Sequence, residues 1–187
     1  MVKEINIHIG EYFGSVEPVV IKTLLGSCVA VCLFDPVTRI GGMNHIFLPG
    51  RADLKHFDAP ARFGINAMEL LINKIMTLGA DRRRLIAKAF GGAHILPCIS
   101  DENNTGRKNS DFVMAFLKNE SIPLTSYRLG GNHGCHVHFH TNTGMVFVKK
   151  IPSAQIPTLC AHERKTLGRI RKTVKKPGTI TIFKNNQ

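Results

Sequence analysis

At 187 residues and 20.7 kDa, with 43% hydrophobic residues and mean hydropathy near zero, the chain can bury its own core and is too apolar for disorder throughout. No apolar run approaches the roughly 18–20 residues of a membrane helix, which excludes an integral membrane protein; the charged start Met1-Val2-Lys3-Glu4 reads as a mature cytosolic N-terminus. The formal charge is +12, and eight of the 25 basic residues lie from Pro152 onward with one acid, Glu163, a block suited to nucleic acid, an acidic protein or anionic lipid, or to a solvated tail.

Ile5, Ile7 and Ile9 alternate with polar residues and predict a half-buried first strand. Gly26-Ser27 breaks the chain before Cys28-Val29-Ala30-Val31-Cys32-Leu33-Phe34, a run apolar on both faces that suits a central strand. Asp35-Pro36 turns it into a second strand over Ile40–Phe47, giving a hairpin. A helix follows: Asp58 caps it, Pro60 fits its first turn, Ala61, Ile65, Met68, Ile72 and Ile75 keep helical spacing, and Gly79 stops it. Leu85–Phe90 predicts a strand and residues 97–108 a polar surface loop. Asn109 or Ser110 then caps a short helix over Phe112, Val113, Phe116 and Leu117. Leu124–Leu129, Val137–Thr141 and Met145–Ile151 read as strands, the last two joined by a turn at Asn142-Thr143-Gly144, with a further weak strand near Thr179–Phe183. The sum is a layered α/β sandwich with mixed, largely antiparallel strands and two main helices, because successive strands leave no room for crossover helices.

Five cysteines, at 28, 32, 98, 135 and 160, are an odd number at irregular spacing, so a disulfide framework is not expected. Cys28 directly follows Gly26-Ser27, where an unusual turn can expose backbone N–H groups beside the thiol and stabilise an oxyanion. If the hairpin pairs across Asp35–Ile40, Cys28 and His45 fall at the same end, where imidazole and thiol can form a nucleophile–base pair. The other reading is packing alone, since a strand cysteine usually behaves as a small hydrophobe; Cys32 fits that description.

Thr23-Leu24-Leu25-Gly26-Ser27-Cys28-Val29-Ala30-Val31, then Asp35-Pro36, Gly41-Gly42 and His45-Ile46-Phe47-Leu48-Pro49, closely resemble the chemoreceptor glutamine deamidases, the CheD family. Gly91-Gly92-Ala93, Gly106-Arg107-Lys108-Asn109, Gly130-Gly131-Asn132 and Thr143-Gly144 extend the resemblance over residues 4–151. It implies a deamidase domain over residues 1–151 followed by a basic C-terminal extension, 152–187. It also implies a cysteine-dependent amidohydrolase acting on glutamines of methyl-accepting chemotaxis receptors, with Cys28 as nucleophile, His45 as general acid and base, and an upstream threonine in support. That threonine is expected six residues before the cysteine, where Lys22 stands; Thr23, five before it, is either the shifted equivalent or only a strand residue. Gly26, Ser27, Gly92, Lys108 and Asn109 are the expected substrate-binding positions, with Gly91, Gly92 and Gly130 as turn residues shaping the cleft. The resemblance implies a receptor helix as partner, with a CheC-type phosphatase as a regulatory one; no metal or organic cofactor is required. The alternative function is a regulatory module that clamps the phosphatase or a receptor with little turnover.

His133-Gly134-Cys135-His136-Val137-His138-Phe139-His140 departs from the family, where basic residues are expected. His136, His138 and His140 share one strand face; their spacing allows a metal in principle but matches no common zinc motif, so a solvent-facing row of imidazoles is expected. Cys135 is a candidate oxidisable thiol. No DNA or RNA recognition motif accompanies the basic tail, so nucleic acid is not expected as a partner.

Overall fold

The computed structural model describes residues 2–48, 50–56, 58–95 and 104–174. In chain order they form β1 (Lys3–Asn6), β2 (Tyr12–Ser15), β3 (Val19–Leu25), β4 (Val29–Asp35), β5 (Ile40–Ile46), α1 (Ala59–Thr77), β6 (Ile86–Gly91) and α2 (Thr105–Asn119). β7 (Leu124–Leu129), β8 (Cys135–His140), β9 (Val146–Lys150) and α3 (Ile156–Val174) follow. The strands make two sheets, ordered β1-β3-β8-β9 and β2-β5-β4-β6-β7, and only the β1–β3 and β6–β7 pairings are parallel.

The double-sided apolar run at Cys28–Phe34 explains the layering. Cys28, Ala30, Cys32 and Phe34 face the four-stranded sheet and pack with Ile21, Leu25, Val137 and Phe139. Val29, Val31 and Leu33 face the other way, onto Met68, Leu71 and Ile72 of α1 and Phe112, Val113 and Phe116 of α2. Because the side-chain period is two, one strand serves both cores. The result is a layered α/β sandwich: a four-stranded sheet, a five-stranded sheet, and a layer of helices. β4 and β5 pair antiparallel with Ala30 opposite His45, as the hairpin reading requires. Asp58 caps α1 by accepting from Ala61 N at 2.8 Å, and Gly79, at φ +112°, follows its C-cap.

Four expectations need correction. The first strand stops at Asn6, and Ile7 and Ile9 reach the core from the chain beyond it; the parallel pairing of β1 with β3, a long-range contact, sets that limit. α2 starts at Thr105 with Asn104 as its cap, so 104–108 belong to the helix end and not to a loop, and neither Asn109 nor Ser110 caps it. The remainder of that expected loop, 97–103, and the strand expected near Thr179–Phe183 lie outside the described residues. Beyond the two main helices there is a third, α3, in the stretch read as a solvated tail; it buries Leu159 and Cys160 against Ile95 and Ile151.

Candidate active site

β3 belongs to one sheet and β4 to the other, so the chain crosses the sandwich through Gly26-Ser27-Cys28. The three carbonyls of this crossing are tied down from behind. Ala93 N donates to Gly26 O at 2.8 Å, Asn109 Nδ2 to Ser27 O at 2.8 Å, and Gly92 N to Cys28 O at 2.7 Å. With the carbonyls held on one side, the three N–H groups converge on the other. There they meet a single acceptor, Glu163 of α3: its Oε1 lies 3.2, 3.0 and 3.4 Å from the nitrogens of Gly26, Ser27 and Cys28, and Ser27 Oγ donates to its Oε2 at 2.5 Å. Successive N–H groups aimed at one point form an anion-binding nest. Gly26 is required by shape, since a Cβ there would stand 2.8 Å from Glu163 Oε1 and 3.0 Å from Leu159 Cδ2.

His45 and Thr23 complete the arrangement from facing sheets. Thr23 Oγ1 donates to Ile7 O at 2.8 Å, and the same oxygen lies 2.8 Å from His45 Nδ1. A hydroxyl has one proton, so Thr23 must accept from His45, which fixes the proton on Nδ1. Nε2 then carries a lone pair, and it is buried without a hydrogen-bond partner among the described residues. Burial, with His8 and His162 adding to it, lowers the imidazole pKa to about 3, so the ring is neutral at physiological pH. Cys28 precedes Val29, which pairs with Ile46, so Cys28 and His45 lie on the same face as diagonal cross-strand neighbours. Burial raises the Cys28 thiol well above its ordinary value, and the adjacent Glu163 carboxylate adds to the rise.

Of the expected substrate-binding residues, Gly26 and Ser27 supply the converging donors. Gly92, at φ +68°, and Asn109 stand behind the crossing; Asn109 is fully buried and also accepts from Leu48 N at 2.9 Å. Lys108 is brought elsewhere, to a cleft it shares with Arg51, Asp58 and Asp111. A cleft of about 730 Å³ runs beside α3, walled by Thr23, His45, His136 and His138 from the strands and by His162 and Glu163 from the helix. His136, His138 and His140 do share the outward face of β8, and among the described residues no group of three or more side chains could hold a metal. Cys135 faces the sandwich interior, where burial pushes its thiol up to about 11, which works against a redox-sensing role. Sequence reasoning missed Glu163 as a site residue; its one signal was being the only acid in a basic block.

Among the described residues no helix is long and apolar enough to cross a membrane. Residues 47–150 match the family model described as CheD chemotactic sensory transduction, a segment that begins two residues after His45. Similarity to individual proteins extends further. The chain is 42% identical over 180 residues to the probable chemoreceptor glutamine deamidase CheD 1 of Shewanella oneidensis, covering 93% of this chain and 84% of that one. It is 44% identical over 162 residues to the probable chemoreceptor glutamine deamidase CheD of Agrobacterium fabrum, covering 86% and 87%. To the protein of the same description from Rhizobium rhizogenes it is 41% identical over 180 residues, covering 95% and 92%. With a family model matching more than half of its length and relatives above 40% identity along most of it, the chain belongs to the CheD family.

Proposed function

We propose that this protein deamidates glutamine side chains of methyl-accepting chemotaxis receptors, releasing ammonia and leaving glutamate. The observation that carries the reading is the convergence of the Gly26, Ser27 and Cys28 N–H groups beside a thiol whose strand neighbour is His45. The names of the relatives supply the substrate.

The chemistry follows from those groups. His45 Nε2 takes the thiol proton as Cys28 Sγ bonds to the carboxamide carbon. The carbonyl electron pair moves onto oxygen, where the converging N–H groups hold the charge. Collapse of this intermediate breaks the C–N bond, and His45 returns its proton to the leaving NH2, which departs as ammonia. Water then gives a proton to His45 as its oxygen attacks the thioester carbon. The second collapse breaks the C–S bond, and the proton goes back to sulfur. Thr23 acts through His45 as a positioning residue, because it accepts the Nδ1 proton and so keeps Nε2 basic. Gly26, Ser27 and Cys28 hold the oxyanion through their N–H groups, Gly92 and Asn109 keep the crossing in shape, and Lys108 lines the separate cleft with Arg51 and Asp111.

In this reading residues 1–151 form the deamidase domain and 152–187 a basic extension, the protein works in the cytoplasm on receptor helices, and a CheC-type phosphatase is its regulatory partner. No step needs a metal or an organic cofactor. The test is mass spectrometry of a receptor cytoplasmic fragment incubated with the protein and with Cys28→Ala. Glutamine-to-glutamate conversion by the first and none by the second is the expected result; conversion that survives loss of the thiol refutes the assignment.

A further inference from the structure

The N–H groups of residues 26–28 hold a glutamate side chain, and glutamate is the product of the reaction proposed above. It arrives on a helix, as a receptor glutamine would. We propose that α3 is a built-in product mimic, seated in the groove that receives the substrate helix, with Glu163 at the position of the substrate's reacting side chain. This inference rests on the deamidase reading.

Three observations carry it. The carboxylate accepts from all three converging backbone donors and from Ser27 Oγ, so no donor of the nest is left for a substrate while α3 is in place. The fit extends to shape: Leu159, one turn before Glu163, closes over Gly26, where a single added carbon would collide. The hold on α3 is short. Among its described side chains only Leu159, Cys160 and Glu163 are buried; Ile156 and Ile170 pack half-buried against the body, and the other described ones are exposed or half-buried. A helix whose buried side chains span little more than one turn is suited to displacement. The carboxylate beside Cys28 also opposes formation of the thiolate, in keeping with a resting state.

The assignment gives the recognised helix a register. Ile156, Leu159 and Cys160 stand seven, four and three residues before Glu163 on the packed side of α3. The helix that replaces α3 therefore carries its glutamine on an apolar stripe, with apolar residues at those distances before it, and not among charged residues on a solvent face.

The decisive variant is Glu163→Gln in the full chain. If position 163 occupies the substrate place, the new carboxamide lies against Cys28, and the protein should deamidate itself: Sγ displaces NH3, water cleaves the thioester, and peptide mass spectrometry shows NH2 exchanged for OH at position 163. The double variant that also carries Cys28→Ala should show no exchange. In parallel, Glu163→Ala should let iodoacetamide alkylate Cys28 at least about tenfold faster than in the parent, the loss of several charge-assisted hydrogen bonds being ample for that change. Peptide mapping separates Cys28 from the other cysteines, and circular dichroism checks the fold. Exchange at position 163 together with faster alkylation supports the proposal; the absence of either in a folded variant overturns it. The receptor-fragment assay run beside these separates the two readings. Receptor conversion by the parent with no exchange at 163 leaves the deamidase reading standing and makes α3 a structural strut. Exchange at 163 with receptor conversion by neither the parent nor Glu163→Ala keeps α3 as the mimic and removes the receptor as substrate.

Discussion

The proton of one hydroxyl sets the tautomer of His45. Thr23 spends it on Ile7 O and must therefore receive the Nδ1 proton of His45, which leaves Nε2 as the only basic nitrogen of the ring. Replacement of Thr23 by Val keeps volume and removes that acceptor, so kcat on the receptor fragment should fall on the order of 10–100-fold, with KM little changed. Thr23→Ser should restore most of it, which a purely structural role for the methyl group does not predict. His45 also links stability to pH. Its folded pKa of about 3 lies below the ordinary value of 6.5, so between the two the unfolded chain holds a proton that the folded chain does not. Stability is therefore lost as pH falls through that window, by up to about 1.4 kcal/mol per unit. Urea denaturation at pH 7 and pH 5 should show the parent losing about 2 kcal/mol more than His45→Gln over that range; equal losses contradict a buried neutral imidazole. Cys28 and His45 were legible in the sequence because a glycine-serine break and a hairpin turn are local signals. The pairing of Thr23 with His45 was not, because five or six residues of spacing before a cysteine says nothing about which facing strand lies across from it.

At the scale of elements, α2 does more than cover the sheet. Asn109 on its second turn reaches both Leu48 N and Ser27 O, so the helix braces the Gly26–Cys28 crossing from behind. Asn109→Leu strands a buried donor and a buried acceptor. A loss of about 1–3 kcal/mol in stability is expected, with a fall in kcat, both measurable on the same sample by urea titration and ammonia release. The sequence suggested Asn109 as a helix cap because asparagine before an apolar stripe commonly caps. The helix instead begins at Thr105, and this asparagine points into the core, a choice made by partners 61 and 82 residues away. β4 and β5 were readable because their pairing is set by a four-residue turn. β1 and β3 were not separable in the same way, since a parallel pair needs a connection whose course the local pattern does not record.

Across the whole molecule, the end of the sandwich opposite Cys28 is fixed by charge. Asp35 at the end of β4 is fully buried. Burial alone would raise its pKa, yet the Arg84 guanidinium and the N–H groups of Asp81, Val37 and Thr38 hold it well below the usual carboxylate range. Removing that carboxylate takes the 2.8 Å partner from Arg84, which keeps only its 3.3 Å pair with Asp81, and leaves two turn N–H groups, Val37 and Asp81, without their 2.9 Å acceptors. Asp35→Ala should therefore cost about 2–4 kcal/mol by denaturation, without the selective loss of kcat expected for Thr23→Val. The amino-acid sequence by itself determined the apolar alternation that makes β4 the middle of two cores, the capped α1, the hairpin that brings Cys28 beside His45, and the family. The first three rest on periodicity and on signals a few residues apart, and the family on the resemblance of motifs spread over residues 4–151. Only the tertiary structure decided that Thr23 sets the histidine tautomer, that three carbonyls are anchored so that three N–H groups converge, and that Glu163, 135 residues beyond Cys28, fills the place where they meet. Those are contacts between elements that are distant in sequence, and they exist only once the two sheets and the C-terminal helix have packed.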